Sequence, residues 1–302
     1  MNHFCTITTA DHFYKVQALR DSLLKFDNDM MLHVLVVDKG SLDHSMSICF
    51  YGLSDLMHND VVKDITTKYR KQTDRLRWSL KPSFLKHLLG KTDIEKVIYL
   101  DNDLYFFNDH RFLFGYLENH SFLLTPHYYD RSPEHNQNWL EANFRAGLFN
   151  AGFIGVNRNA ANVLQWWAEC CLYRCKKSAF RGTFDDQKYL DLIPVMQEDA
   201  MILRHQGCNV AEWNRFLCVR QMVDGQLTIN GIWPIIFVHF NNTTIREILD
   251  GNELLLLPFW KSYFSNLKKY KAGIEDYSFY QSKKRIDLLK YAVWKLLTVR
   301  GI

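Results

Sequence analysis

The first 38 residues limit the fold most strongly, because they contain two apolar segments separated by a helical pattern. Residues 4–9 (FCTITT) and residues 30–38 (MMLHVLVVD) each have the composition of a strand. Between them, Val16, Leu19 and Leu23 recur at the spacing of one helix face. A strand, a helix and a second, nearly all-apolar strand predict a βαβ unit in a mostly parallel sheet with helices on both faces.

Composition and pattern in the rest of the chain agree with an α/β protein. Of the 302 residues, 47% are hydrophobic and 15% are aromatic, which is enough for a large core and excludes a disordered chain. The seven cysteines lack the spacing of a disulfide framework, so the group at residues 170–175 is interpreted as reduced core thiols. Pro82 marks the expected start of a helix. Further strands are predicted at residues 97–100, 122–125, 153–156 and 235–240.

Polar residues close three of the predicted strands. Thr8 and Thr9 end the first strand, Asp38 ends the second, and Asp101 and Asp103 follow a later one. Ligands of open α/β sheets bind where the carboxyl ends of parallel strands meet. Each of these residues alone is an ordinary turn or cap residue. Together they predict a nucleotide-binding cleft.

The pair Asp101 and Asp103 is the most specific of these signals. Side chains at positions i and i+2 of an extended backbone point the same way, so both carboxylates can reach one ion. Hard oxygen donors suit Mg²⁺ or Mn²⁺ and leave positions open for phosphate oxygens. A turn or a helix cap is the alternative reading of this motif alone.

Other nucleotide chemistries lack their usual motifs. The turn at residues 8–12 (TTADH) contains neither G-x-G-x-x-G nor a Walker sequence, which disfavours dinucleotide and P-loop proteins. It also lacks the glycine-rich basic loop of a sugar-phosphate nucleotidylyltransferase, which is one alternative function. A haloacid-dehalogenase phosphatase usually has Thr or Val where Tyr105 stands. A non-catalytic nucleotide- or glycan-binding module is a further alternative, and nucleic-acid binding is disfavoured.

Several short segments follow one another in an order that indicates a protein family more specifically than any single segment does. After the first strand, helix and Asp38 come RWSLK (77–81), VIYLDND (97–103), FNAGFIG (149–155), DDQ (185–187) and VHF (238–240). Over roughly residues 3–242 this order resembles GT-A-fold nucleotide-sugar glycosyltransferases, and most closely the family 8-like group that includes glycogenin and bacterial lipopolysaccharide galactosyltransferases. The resemblance implies a GT-A (Rossmann-like), mostly parallel twisted sheet.

The resemblance also implies a metal site and a donor site. Asp101, Asp103 and His239 would bind Mn²⁺ (or Mg²⁺) on the diphosphate of a UDP-sugar, although a core histidine is the alternative for His239. Thr8, Thr9, Tyr14 and Asp38 would frame the uracil and ribose, and Tyr14 could equally be a packing residue. The full set of implied donor-binding residues is Thr8, Thr9, Tyr14, Asp38, Arg77, Lys81, Asn102, Asn150 and Gly152.

Asp186 and Gln187 match the pair that lines the donor sugar in the family. In an inverting reaction Asp186 (or Asp185) would be the general base for the acceptor hydroxyl. In a retaining reaction, which the resemblance favours, Gln187 would stabilise positive charge at the anomeric carbon. A helix N-cap is the alternative reading of the two aspartates.

The segment after His239 departs from the family pattern. Where relatives carry a glycine and then a lysine that contacts the diphosphate, this chain has residues 241–246 (NNTTIR), with Arg246 as a candidate replacement. Residues 128–145 show no clear periodicity and are predicted to form a lid or acceptor loop.

Charge divides the chain into a catalytic domain at 1–260 and a basic tail at 261–302. The tail has ten Lys/Arg and three Asp/Glu, whereas the first 260 residues have 27 and 30. Residues 281–302 predict a basic amphipathic helix that binds an anionic membrane or packs on the body. The sequence predicts no signal peptide and contains no run of about 18 apolar residues, so the predicted location is cytoplasmic. The basic tail adds the alternative of a peripheral position at the inner face of the membrane.

The combined prediction is a metal-dependent hexosyltransferase. It would transfer a hexose from a UDP-sugar to a hydroxyl of a glycan or lipid-linked saccharide acceptor during bacterial envelope polysaccharide synthesis.

Overall fold

A computed structural model describes residues 1–38 and 47–275. Its strands are β1 (Asn2–Thr8), β2 (Met30–Val36), β3 (Ile48–Gly52), β4 (Lys96–Leu100), β5 (Leu104–Phe106), β6 (Phe122–Pro126), β7 (Phe149–Asn157), β8 (Met201–Ile202), β9 (Arg220–Val223), β10 (Gln226–Ile229), β11 (Trp233–Pro234) and β12 (Phe237–His239). Its α-helices are α1 (Phe13–Leu24), α2 (Asp60–Tyr69), α3 (Thr73–Leu89), α4 (Phe112–Tyr116), α5 (Gln137–Arg145), α6 (Ala161–Tyr173), α7 (Ile193–Met196), α8 (Asn242–Leu249) and α9 (Leu257–Tyr270).

Seven strands form the central sheet in the order β3-β2-β1-β4-β7-β6-β8. Neighbours pair in parallel except β7, which runs antiparallel to both β4 and β6. The predicted βαβ unit is confirmed as β1, α1 and β2, and its register places Thr8 opposite Val36. The two strands therefore end at the same level, which opens one edge of the sheet to a ligand.

Apolar side chains from both faces of the sheet are buried under helices. Along β1, Phe4 packs with α1 and α4, whereas Cys5 and Ile7 pack with α2, α3 and α6. This alternation follows from the period of two residues in a strand. Burial of each large apolar side chain contributes about 1.5–3 kcal/mol, so both helix layers hold the sheet in place.

The helix that precedes β4 begins earlier than predicted. Pro82 lies inside α3, which starts at Thr73, so the expected helix start at Pro82 is wrong. Leu76 and Leu80 are fully or almost fully buried and continue the apolar face that includes Phe84, which stabilises the first half of the helix. That packing offsets the hydrogen bond that proline cannot donate to Trp78.

The predicted strand at 235–240 is also placed differently from expectation. It is the short strand β12, which pairs antiparallel with β5 in a separate two-stranded sheet. Strands β9, β10 and β11 form a further small sheet. The three predicted core thiols, Cys170, Cys171 and Cys175, are free in and just after α6.

The C-terminal part of the described chain packs on the body. Helix α9 buries Trp260, Tyr263 and Leu267 and lies against α1. The predicted division at 260/261 falls within this helix, and the predicted amphipathic helix at 281–302 lies outside the described residues. Within residues 1–38 and 47–275, none of the helices has the length and hydrophobicity needed to span a membrane.

Candidate active site

A cleft of about 740 Å³ lies at the carboxyl ends of β1 and β4. It brings together most of the residues that the sequence singled out, from segments that are far apart in the chain. These residues are Arg77, Lys81, Asp101, Asn102, Asp103, Asn150, Gly152, Asp186, Gln187 and His239.

Asp101 and Asp103 lie in the turn between β4 and β5. The Leu104 amide donates to the Asp101 carbonyl at 3.1 Å, so the expected extended backbone is replaced by a turn. Pairing of β5 with β12 sets His239 opposite Leu104, and His239 Nε2 lies 3.1 Å from Asp103 Oδ1. One ligand atom from each of Asp101, Asp103 and His239 can be chosen so that all lie within 4.8 Å of one another.

A second layer of polar groups orients these three side chains. His239 Nδ1 lies 3.2 Å from Asn209 Oδ1, which favours the tautomer that donates from Nδ1 and leaves Nε2 directed toward Asp103. The Tyr99 hydroxyl donates to Asp101 Oδ1 at 2.8 Å. Support of this kind around a histidine and a carboxylate is typical of metal sites.

Gly152 leaves open the space between Asp101, Asp103 and His239, which are called the triad below. A Cβ atom at this position would lie 2.6 Å from His239 Cε1 and 3.0 Å from Asp101 Oδ2. The Asp101 amide also donates to the Gly152 carbonyl at 2.8 Å, so this backbone cannot easily move away. The two carboxylates and the imidazole, together with the space beside Gly152, fit a divalent cation.

The charges of the triad depend on one another. Burial alone would raise the pKa of Asp103, but His239 and Lys15 lower it well below its ordinary value. Burial would lower the pKa of His239, but Asp103 and Asp101 raise it. Each side chain therefore favours the charged form of the other, and a bound cation would compete with the proton of the His239 imidazole.

Lys81 connects the triad to the sugar-binding residues predicted from the sequence. Its buried ammonium lies 3.3 Å from Asp101 Oδ1 and 3.1 Å from Asp186 Oδ2, and it donates to the Ala151 carbonyl at 3.0 Å. Burial opposes the charge of Lys81, but the two carboxylates raise its pKa above the ordinary value. Burial raises the pKa of Asp186 to about 6, against the opposing effect of Lys81.

A neutral hydrogen-bond network forms the other end of the cleft. Gln187 Oε1 accepts from the Asn150 side chain and from the Ala151 amide, both at 3.3 Å, and its Nε2 donates to the Ala146 carbonyl at 2.9 Å. Asn150 Nδ2 also lies 3.2 Å from Nε2 of His127. Burial lowers the pKa of His127 to about 3, so its ring is neutral near pH 7.

Aromatic side chains line the same end. The rings of His127 and Tyr129 stack at 4.5 Å, and Trp139 stacks on Tyr129 at 5.4 Å. Trp213 packs edge-on against His127 and reaches the ring of His239 at 5.2 Å. The predicted loop at 128–145 thus contains helix α5, which supplies Trp139 to this stack.

Four predicted donor-binding residues do not line the cleft. Thr8 accepts from the Asn102 side chain at 3.2 Å, and Thr9 Oγ1 contacts His12 at 2.9 Å. Asp38 accepts from the Ala10 amide at 2.9 Å, which fixes the turn after β1. Tyr14 lies under the ammonium of Lys271, 4.5 Å from its ring centre. Their predicted contacts with uracil and ribose remain predictions.

Several residues of the cleft were not predicted from the sequence. Helical periodicity could have identified Lys15, because it lies one turn before the buried Leu19 on α1. Tyr99 lies in strand β4 inside a predicted strand, and its role in the cleft has no separate sequence signal. The remaining unpredicted residues lie in short 3₁₀ turns or in a loop and carry no local signal; they are His12, His127, Glu212 and Trp213.

Comparison with known proteins finds relatives of similar length. The chain is 28% identical over 293 residues to the uncharacterized protein YfnD of Bacillus subtilis strain 168, with 91% of each chain covered. It is 27% identical over 256 residues to YfnF of the same organism, with 81% of this chain and 82% of YfnF covered. No model of a known protein family matches the chain.

Two solved glycosyltransferase structures share the architecture described above. The galactosyltransferase LgtC, in complex with donor and acceptor sugar analogues, has a TM-score of 0.55 at 12% identity and covers 91% of this chain and 99% of its own. Mouse xyloside xylosyltransferase 1 in its apo form has a TM-score of 0.50 at 17% identity and covers 80% of this chain and 98% of its own. The chain therefore has the GT-A fold of these glycosyltransferases, as its ordered sequence segments predicted.

Proposed function

We propose that this protein is a metal-dependent glycosyltransferase of the family 8-like kind, which transfers a hexose from a UDP-sugar to a hydroxyl of a glycan or lipid-linked saccharide. The observation that carries the proposal is the meeting of Asp101, Asp103 and His239 in a cleft of a GT-A fold. The order of the sequence segments supports the donor class. The imidazole ligand favours Mn²⁺ over Mg²⁺.

The chain's own residues would prepare the metal end of the cleft. Asp101, Asp103 and His239 would hold the ion, and Asn209 would keep the His239 tautomer whose Nε2 is free to bind it. When bound, the ion supplies Lewis-acid stabilisation of the negative charge on the departing diphosphate. Gly152 keeps the volume between Asp101 and His239 open for it.

We propose that the sugar is transferred with retention of its anomeric configuration. The Asp186 carboxylate is buried and paired with Lys81 at 3.1 Å, so it is engaged in an ion pair and is a poor base for an acceptor hydroxyl. Gln187 instead presents an amide that Asn150 and the Ala151 amide hold in one orientation. A fixed dipole can stabilise positive charge on the sugar without accepting a proton.

The acceptor would enter beside the aromatic residues of the cleft. Tyr129 and Trp213 offer apolar faces, and the buried Glu212 offers a carboxylate for a sugar hydroxyl. We place the reaction in bacterial envelope polysaccharide synthesis at the cytoplasmic face, with residues 281–302 in contact with anionic lipid. Deletion of that segment should release the protein from anionic vesicles, and unchanged vesicle binding would contradict the membrane role.

The enzymatic proposal is tested by measuring UDP release from a panel of UDP-sugars, with and without Mn²⁺. Slow donor hydrolysis without an acceptor is expected for one sugar, dependent on Mn²⁺ and absent in Asp103→Ala. Such a result would identify the class and the donor together. Failure of every UDP-sugar, together with failure to bind UDP in the presence of Mn²⁺, would favour a binding module or another phosphate chemistry.

A further inference from the structure

Lys15 lines the cleft, and in the part of the chain that the structure describes its ammonium is not paired with a carboxylate. It lies in the first turn of α1 and lines the cleft beside the metal triad. Among residues 1–38 and 47–275, its ammonium makes neither an ion pair nor a hydrogen bond, although much of the side chain is covered. A cation that is partly removed from water without a partner is unfavourable unless a ligand supplies the opposite charge.

The nearest charges make this position more positive. Burial lowers the pKa of Lys15 most, Asp103 raises it, and the positive charges of Arg77 and Lys271 lower it further. Lys271 follows α9 and is held over the ring of Tyr14 at 4.5 Å, which directs it to the same end of α1. Arg77 is compensated by Asp74, whose Oδ1 lies 2.6 Å away.

A bound divalent cation would increase the excess of positive charge around Lys15. The ion would offset the two carboxylates Asp101 and Asp103, so that Asp103 would no longer compensate Lys15. Lys15 would then remain without a compensating charge at the cleft, with Lys271 close by over the ring of Tyr14. A nucleoside diphosphate carries the charge, and the several acceptor oxygens, that these ammonium groups require.

We propose that Lys15, assisted by Lys271, binds the diphosphate of the nucleotide donor on the side of the metal that faces α1. The inference rests on the proposed function, and it assigns the phosphate contact to helix α1 and the residue after α9. Lys15 is then a residue that selects nucleoside diphosphates over nucleosides.

The test is calorimetric titration of UDP and uridine into the full-length protein with Mn²⁺ present. We expect Lys15→Gln to weaken UDP binding by about tenfold or more, because a charged hydrogen bond is lost. Lys15→Arg should restore most of the affinity, and uridine, measured by competition, should bind both forms alike. Lys25→Gln is the matched control, because Lys25 follows the same helix but contacts the Tyr105 hydroxyl away from the cleft.

The possible outcomes separate this inference from the function on which it rests. If the wild type does not bind UDP with Mn²⁺, both the function and the inference fail. If the wild type binds UDP and Lys15→Gln binds it equally well, the inference alone is overturned. An equal loss of uridine binding, or an equal effect of Lys25→Gln, also overturns it. Thermal unfolding of each variant confirms that it is folded under the conditions of the titration.

Discussion

The two ends of the cleft satisfy their polar groups in different ways. At the end proposed to bind the metal, Asp101, Asp103 and His239 face one another across a space that Gly152 keeps open. At the amide end, Oε1 and Nε2 of Gln187 are hydrogen-bonded to neutral partners inside the protein. In the proposed function, the first end takes its compensating charges from a cation and a nucleotide, whereas the second is held in place by the protein's own hydrogen bonds.

Changes at the two ends of the cleft should therefore affect ligand binding and turnover differently. Changes at the metal end should alter the affinity for Mn²⁺ and UDP, because these groups are compensated by ligands. Changes at the amide end should leave those affinities intact and reduce the rate, because a preorganised dipole acts when charge develops on the sugar.

The largest effect is expected for Asp103→Asn. Removing one carboxylate of the proposed metal site should lower Mn²⁺-dependent donor hydrolysis by about a thousandfold and abolish the Mn²⁺ dependence of UDP binding, because charge stabilisation at the leaving group would be lost. Turnover and titration calorimetry measure the two effects. Asp109→Asn is the control, since Asp109 is an exposed carboxylate paired with Arg111. Full activity in Asp103→Asn would contradict the assignment of the metal end.

Gln187→Ala should separate rate from binding. The variant loses the oriented amide, so kcat should fall by about a hundredfold while the affinity for UDP with Mn²⁺ changes less than about twofold. Steady-state kinetics with the hydrolysed donor, together with calorimetry, check the division. A parallel loss of Mn²⁺-dependent UDP affinity would mean that the two ends are not independent.

Gly152→Ala should close the metal cradle without removing a ligand. The added methyl group would lie 2.6 Å from His239 Cε1 and 2.7 Å from Asn150 Oδ1, which is closer than real Cβ atoms approach, and 3.0 Å from Asp101 Oδ2. Because His239 would have to move, Mn²⁺ affinity should fall by about tenfold or more. Gly115→Ala is the control, because nothing lies within 4 Å of a Cβ atom at that position. Calorimetric titration with Mn²⁺ alone distinguishes the variants, and equal affinities would contradict the cradle.

The smallest effect is a pH dependence of stability that arises from Asp186. Burial raises its pKa to about 6 in the folded state from an ordinary value of 3.8, so the folded protein binds this proton more tightly than the unfolded chain. The resulting stabilisation is fully present below 3.8 and is lost as the pH rises through 6. Relative to Asp186→Asn, the wild type should gain about 1–3 kcal/mol in free energy of unfolding between pH 7 and pH 4. Urea unfolding at both pH values measures this gain, and a constant difference would contradict it.

The predicted parts of the fold are those with strong local signals. The apolar strands β1, β2 and β4 and the helix face of Val16 and Leu19 follow from periodicity and were confirmed. The predicted helix start at Pro82 was wrong, because the tertiary packing of α3 outweighs the one hydrogen bond that proline cannot make. The short strands β5 and β12 pair across a long sequence separation, and no local pattern specifies that register.

In the candidate site, too, the sequence predicted the residues with local signals and missed those that distant segments bring in. The sequence identified Asp101, Asp103 and His239, and the β5–β12 register brings them together in the structure. The sequence analysis selected Tyr14 as a donor-binding residue, but the next residue, Lys15, lines the cleft instead. Successive side chains of a helix point about 100° apart, so an error of one residue changes the face. The aromatic residue Trp213 could not be foreseen, because a single 3₁₀ turn (Glu212–Asn214), too short to show periodicity, places it in the cleft.

The most direct test of the account is a crystal structure of the protein with Mn²⁺ and UDP, recorded at a wavelength where manganese scatters anomalously. We expect an anomalous peak within about 2.0–2.3 Å of oxygen atoms of Asp101 and Asp103 and of Nε2 of His239, with the diphosphate of UDP on the same ion. Manganese bound elsewhere, or UDP bound with no metal between these three residues, would contradict the central claim.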